Sequence, residues 1–270
     1  MILVNGAASD TLPATDRGLA YGDGVFRTLR FRAGRPLAWV QQFRKLHTDC
    51  GALGIPCPAD ALLQEELCRV AGEEPDGVGK IIVTRGSGQR GYAAAAAVEA
   101  TRIVMSLPFP VERAAAGRAG IRARICALRL GIQPALAGIK HLNRLENVLA
   151  RGEWDGPEIA EGILLDRDGN VIGGTMTNLF MVENGALVTP ELVRCGVAGV
   201  TRERIIGHAA ASGMACRAED VTTERLLAAD ELFVTNSIIG VWQIRELGDR
   251  AWKTGAVTQR IKRWLDEESD

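Results

Sequence analysis

Apolar and polar positions along the chain shift between a period of two and a period near 3.6, and the shifts mark out strands and helices. The runs MILVN (1–5) and VFRTLRFRAG (25–34) read as strands, with a turn near Gly34-Arg35. In QQFRKLHTDCGALG (41–54), Phe43, Leu46 and Leu53 recur near helical spacing and Gly54 ends the segment. ADALLQEELCRVAG (59–72) predicts a second helix, stopped by Gly72. GKIIVTRG (79–86) and TRIVMSLPFP (101–110) carry β-branched runs that predict strands.

The second half repeats the alternation. IRARICALRL (121–130) alternates apolar and basic residues, as an amphipathic strand does. In GIKHLNRLENVLAR (138–151), Leu142, Leu145 and Leu149 fall on one helical face, which places a lysine, Lys140, at the start of a helix. LFMVENGALVTP (179–190) predicts a hairpin turning at Asn184-Gly185. TRERIIGHAAASG (201–213) reads as a helix with Thr201 near its N-cap, and ADELFVTNS (229–237) as a buried strand running into a polar turn. A charged amphipathic helix is expected from about Thr254 to Glu268. No internal repeat occurs, and the low-complexity tract is AAAAAV (93–98).

This order predicts an α/β chain of two domains. The expected division is a smaller N-terminal domain (1–113), a linker (114–120) in the small-residue stretch ERAAAGRAG, and a larger C-terminal domain (121–270). Apolar residues make up 47% and charged residues 24%, the balance of an ordinary globular protein. A net charge of −1 gives no general attraction to nucleic acid or to an anionic membrane. No apolar run approaches the roughly 20 residues of a membrane span, and the start MILVNGAASD lacks the features of a signal peptide. A cytoplasmic protein is expected. The six cysteines form no C-x-x-C pair and read as reduced thiols; the three histidines are far apart, so no metal site is expected.

Lysine is scarce here, with five lysines against twenty-seven arginines. A partly desolvated lysine loses its proton more easily and becomes a nucleophilic amine, as covalent attachment of pyridoxal 5'-phosphate (PLP) requires. Taken alone, Lys140 reads more readily as a solvated surface lysine, because perturbed lysines are the rarer case. Gly86-Ser87-Gly88-Gln89-Arg90-Gly91 matches G-x-G-x-x-G after a strand and suggests a dinucleotide site. The next strand begins by Thr101, which leaves little room for a crossover helix, and no acid follows at the required distance. A glycine-rich active-site loop carrying Arg90 and Tyr92 is the better reading.

The Lys140 segment resembles that of the fold-type IV PLP enzymes, most closely the aminodeoxychorismate lyases. DRGLAYGDGVFRTLR (16–30), EGILLDRDGNVI (161–172) with NLF (178–180), AGVTRERI (198–205) and ELFVTNSIIGV (231–241) resemble further motifs of that family in the same order. RGSGQRGY (85–92) is similar to the loop of its lyases. The resemblance implies a fold-type IV architecture with PLP in the cleft between the domains. It also implies a small-molecule substrate and a homodimer whose subunits complete each other's sites. The reaction implied is 4-amino-4-deoxychorismate to 4-aminobenzoate and pyruvate, a step toward folate. The alternatives are a fold-type IV aminotransferase for D-amino or branched-chain substrates, and a non-catalytic homologue.

By the same resemblance Lys140 is the amine and general base. Val200 and Thr201, at a helix N-terminus that favours anions, and the Asn236-Ser237 turn hold the phosphate. Arg27 and Arg90 take substrate carboxylates, with Tyr92 beside them. Two positions depart from the family pattern. Lys45 stands where an arginine is usual for the phosphate, and a lysine loses the bidentate fork. Gly173 stands where the acid facing the pyridine nitrogen is usual, so the cofactor is expected to be a weaker electron sink, with Thr175 or Thr177 offering a neutral hydroxyl instead.

Overall fold

The computed structural model describes all residues except 73–74, 94–98, 113–116, 118 and 269–270. Residues 114–116 and 118 of the expected linker, and residues 94–98 of the alanine tract, lie outside the described residues. The chain divides into two compact units: Met1–Phe109 with Ile139–Asn143, and Pro110–Gly138 with Arg144–Asp270.

The first unit contains β1 (Ile2–Val4), β2 (Ala7–Ala8), α1 (Arg17–Tyr21), β3 (Gly24–Arg32), β4 (Arg35–Pro36), α2 (Trp39–Ala52), α3 (Asp60–Ala71), β5 (Gly77–Thr84) and β6 (Thr101–Pro108). The six strands form one antiparallel sheet in the order β2-β1-β6-β5-β3-β4. Leu46 of α2 and Leu63, Leu67 and Val70 of α3 are fully buried against Leu29, Phe31, Ile81 and Val104 of the sheet. Alternation along β3 sends Val25, Arg27, Leu29 and Phe31 to this buried face. The β5–β6 pairing is antiparallel, Ile81 facing Val104. That geometry excludes the parallel crossover of a dinucleotide-binding unit, so the glycine run 86–91 lies in the connection of an antiparallel pair.

The second unit contains β7 (Ile121–Leu130), α4 (Leu145–Arg151), β8 (Ile159–Asp166), β9 (Val171–Gly174), β10 (Asn178–Glu183), β11 (Ala186–Pro190), α5 (Val200–Ala211), β12 (Cys216–Glu219), α6 (Thr223–Ala228), β13 (Glu231–Asn236), β14 (Gly240–Leu247), β15 (Arg250–Ala251) and α7 (Ala256–Glu267). A mixed sheet runs β12-β11-β10-β13-β14-β7-β8-β9, and β15 pairs with β14. Its central strands are buried on both faces, hence their unbroken apolar runs. Leu179 and Met181 of β10 and Leu232 and Val234 of β13 lie in one core with α6. The intervening Phe180 and Phe233 stack at 5.1 Å in a second core with Ile205 and Ala209 of α5 and Ile261 and Leu265 of α7. The β10–β11 hairpin turns at Asn184 (φ 51°) and Gly185 (φ 78°), the two left-handed residues that a tight hairpin needs.

One expectation is corrected. Lys140 does not start a helix: α4 begins at Leu145, and the residues from Ile139 to Arg144 are non-helical. Phe26 donates its backbone N–H to the Lys140 carbonyl at 3.0 Å, Leu142 donates to the Gly24 carbonyl at 2.9 Å, and Val25 bridges to His141. The edge of β3 near Gly24 satisfies this backbone, and Leu142 therefore leaves the helical face that its spacing suggested. A Cβ on Gly24 would lie 2.7 Å from a Leu142 methyl carbon, so glycine permits the close approach.

Candidate active site

In the first unit the chemistry gathers around a residue that the sequence reading passed over. Asp49, near the C-terminal end of α2, is 1% exposed. Its Oδ1 accepts from Lys45 Nζ at 2.7 Å, one helical turn away. Its Oδ2 accepts from the Arg27 guanidinium and, at 3.1 Å, from the backbone N–H of Lys140. Three of the residues named from the sequence, Lys45, Arg27 and Lys140, thus meet on one buried carboxylate. The Lys140 ammonium lies 4.3 Å from the centre of the Phe26 ring. Its side chain is half-buried, with β3 holding the backbone on one side and Asp49 on the other. Arg27 is 2% exposed and ion-paired, so the structure places it as a buried partner of Asp49.

Arg90 and Tyr92 lie in a separate part of the same unit. Both are exposed, Tyr92 at 87%. The backbone around them is anchored. Arg17, itself 5% exposed, donates to the carbonyls of Gly91 and Tyr92 at 2.9 Å each and to Asp23 at 2.9 Å. The Gly91 N–H donates to the Tyr21 hydroxyl, and the Tyr21 and Tyr92 rings pack at 5.4 Å. Asp16 caps α1 through Gly18 N–H and accepts from the Thr84 hydroxyl. The motif 16–30 therefore works as a clamp on the glycine-rich loop.

In the second unit the two expected phosphate turns converge. Gly199 is the N-cap of α5, with Thr201 two residues beyond it as the sequence suggested, and no side chain caps it. Its first turn, with Val200 and Thr201, thus presents backbone N–H groups at the positive end of a twelve-residue helix. The Thr201 hydroxyl is 3.5 Å from that of Ser237. The Asn236 side-chain oxygen accepts from the N–H groups of Ile238 and Ile239 and fixes the turn around Ser237. Asn178 joins the parts, accepting from Gly199 N–H at 3.0 Å and donating to the Val197 carbonyl at 2.7 Å. Hydroxyls beside a helix N-terminus are the donor set that a phosphate ester needs, so the residues fit the phosphate of PLP.

The turn joining β9 to β10 adjoins this site, since Asn236 donates to the Met176 carbonyl at 3.2 Å. Inside it lies Glu161, fully buried on β8 and also missed in the sequence, because EGILLD reads as an apolar strand. Its Oε1 accepts from the Thr175 hydroxyl at 2.5 Å, the Thr175 N–H at 3.0 Å and the Gly162 N–H at 2.9 Å. Its Oε2 accepts from the Thr177 hydroxyl at 2.8 Å and the Met176 N–H at 3.4 Å. Asn147 of α4 donates to the Thr175 carbonyl at 2.9 Å. Gly173 is buried, and a Cβ built there would lie 2.9 Å from the Thr177 carbonyl oxygen.

Comparison with known proteins identifies the family. Residues 24–247 match the family described as Amino-transferase class IV. The chain belongs to this family. It is 36% identical over 242 residues to the aminodeoxychorismate lyase of Vibrio harveyi, covering 89% of each chain. The crystal structure of 4-amino-4-deoxychorismate lyase from Pseudomonas aeruginosa is similar, with a TM-score of 0.94 and 42% identity, covering 99% of this chain and 98% of that one. A putative branched-chain-amino-acid aminotransferase of Methanocaldococcus jannaschii is 31% identical, over 92% of this chain and 87% of that one. Class IV aminotransferases are PLP-dependent and share the fold-type IV architecture found here. Among the described residues no helix is long and apolar enough to cross a membrane, and no group of acidic, histidine or cysteine side chains is placed to hold a metal.

Proposed function

We propose that this class IV aminotransferase homologue is a PLP-dependent lyase that converts 4-amino-4-deoxychorismate to 4-aminobenzoate and pyruvate. The observation that carries the reading is agreement between sequence and structural relatives, both aminodeoxychorismate lyases, over nearly the whole chain. Features within each unit support it. Lys140 supplies the amine that holds the cofactor, and the α5 N-terminus with Thr201 and Ser237 receives its phosphate. Lys45 adds positive charge, steadied by Asp49.

PLP, when bound, supplies a sink for the electrons left on a carbon that loses its proton. The chain's own residues do the rest. Lys140, once released, is the base for the proton on the amine-bearing ring carbon. Loss of that proton, with departure of the enolpyruvyl oxygen, leaves an aromatic ring. Arg90 and Tyr92, on the loop held by Arg17, take the carboxylate end of the substrate, and loop anchoring limits the motion of that contact. The exposed apolar face of α4, with Leu145, Val148 and Leu149, supports association as a homodimer, and six free cysteines suit the reducing cytoplasm.

The visible absorption spectrum of the purified protein, with and without added PLP, tests the cofactor. A band that changes on borohydride reduction and is missing in Lys140→Ala is expected. Release of 4-aminobenzoate from 4-amino-4-deoxychorismate then tests the lyase reading. Amino transfer to a keto acid, without release of 4-aminobenzoate, would place the protein with the aminotransferases of its family. No band with excess PLP would point to a non-catalytic homologue.

A further inference from the structure

The Glu161 cluster has no part in the phosphate site, yet it is a buried carboxylate with every partner a donor. Thr175 is the member of this cluster that combines a hydroxyl with partial exposure, since Thr177 is 8% exposed and Glu161 fully buried. The Thr175 hydroxyl has one proton, and the 2.5 Å contact commits it to Glu161 Oε1. What Thr175 then offers outward is an oxygen lone pair, made more basic by the carboxylate behind it. Such an oxygen accepts a hydrogen bond and cannot give one.

We propose that Thr175, backed by Glu161, accepts a hydrogen bond from the protonated ring nitrogen of PLP and takes over the role of the acid missing at Gly173. The proposal rests on the reading of this protein as a PLP enzyme and reverses the expectation of a weak electron sink. Three observations support it. The turn that carries Thr175 is tied to the Asn236-Ser237 phosphate turn through the Met176 carbonyl, so Thr175 and the phosphate donors form one connected surface. Asn147 holds the Thr175 carbonyl, and Glu161 holds its N–H, so the hydroxyl has a fixed origin. At Gly173 the Thr177 carbonyl oxygen occupies the space a side chain would need, and the acid cannot simply be restored there. Thr175 would be the cofactor-binding group. Glu161 would be a positioning residue that acts through it.

The test uses the full chain reconstituted with PLP carrying nitrogen-15 in the ring. The ring-nitrogen chemical shift of the wild type at neutral pH is expected to be that of a protonated pyridine. In Thr175→Val it should move to the unprotonated range, with PLP affinity reduced about tenfold or more, as for a lost charge-assisted hydrogen bond. Thr175→Ser should restore both. In Glu161→Gln the pH at which the nitrogen loses its proton should fall. Borohydride reduction and mass measurement on the same samples report whether PLP is attached to Lys140. Wild-type protein with attached PLP and an unprotonated nitrogen would overturn this proposal alone, as would a Thr175→Val signal unchanged from wild type. Failure of the wild type to take up PLP would overturn the underlying reading as well.

Discussion

The backbone N–H of Lys140 donates to the carboxylate of Asp49, 91 residues earlier in the chain, at 3.1 Å. The same carboxylate neutralises Arg27, 3% exposed in its side chain, and Lys45, 11% exposed. Removing it takes this counter-charge away from two largely buried cations. Breaking a buried pair from one side costs about 3–5 kcal/mol. Asp49→Ala should therefore lower the melting temperature by roughly 10 °C and reduce PLP occupancy at Lys140. Asp49→Asn, which keeps an oxygen for the Lys140 N–H, should retain more of the occupancy than of the stability. Calorimetry and bound-PLP absorbance on the two variants separate these effects.

Asp23 makes one corner of the loop clamp pH-dependent. Burial alone would raise its carboxyl, but hydrogen bonds and charge from Arg85 and Arg17 outweigh burial and hold it below its ordinary value. The folded protein therefore binds a proton at Asp23 less readily than the unfolded chain does. Its contribution to stability is complete above the ordinary aspartate pKa of about 3.9. It disappears as pH falls from there through the lower folded value. Denaturant unfolding of wild type and Asp23→Asn should show a stability gap at neutral pH that narrows in acid. A gap independent of pH would contradict the assignment.

Sequence patterns exposed much of this architecture, and the failures have physical causes. The cores of β10 and β13 were visible because strands buried on both faces must be apolar throughout. The two turns proposed to receive the phosphate were visible as turns because a helix start after glycine and a polar turn after an apolar strand are local features. The start of α4 was misplaced because Leu142 keeps helical spacing with Leu145 and Leu149, while the partner that pulls it away, Gly24, is distant in sequence. Asp49 and Glu161 were missed for a related reason. Each carboxylate is defined by what surrounds it: Arg27 is 22 residues from Asp49, and the Thr175 hydroxyl is 14 residues from Glu161. An acid inside an apolar strand such as β8 was nevertheless a usable signal, since an unpaired carboxylate is costly to bury.

Thiol chemistry should divide the cysteines by burial. Burial, aided by nearby carboxylates, pushes the Cys126 and Cys195 thiols up to about 11 each. Reactive thiolate is then scarce at pH 8, on the order of one molecule in a thousand. Cys68 is exposed on α3. Brief treatment of the native protein with iodoacetamide, followed by peptide mass analysis, should modify Cys68 first and leave Cys126 and Cys195 unmodified until denaturant is added. Equal labelling of all three in native protein would mean that the two buried sites open readily.

Gly173 gives the most direct test of whether the missing acid reflects packing. Its backbone is extended within β9, so no left-handed conformation demands glycine; space does. A Cβ would sit 2.9 Å from the Thr177 carbonyl oxygen, which also accepts the Gly174 N–H at 2.8 Å. That oxygen belongs to the backbone and cannot swing aside as a side chain would. Gly173→Ala should therefore displace the 174–177 turn and destabilise the protein by about 1–3 kcal/mol, the usual range for overpacking. The displacement should reach Glu161 as well, because both threonine hydroxyls that it accepts from lie on this turn. Chemical denaturation measures the first effect, and faster amide exchange at Thr175 and Met176 measures the second. An alanine variant as stable as wild type, with unchanged exchange there, would show that the turn has room for a side chain and that the acid is absent for another reason.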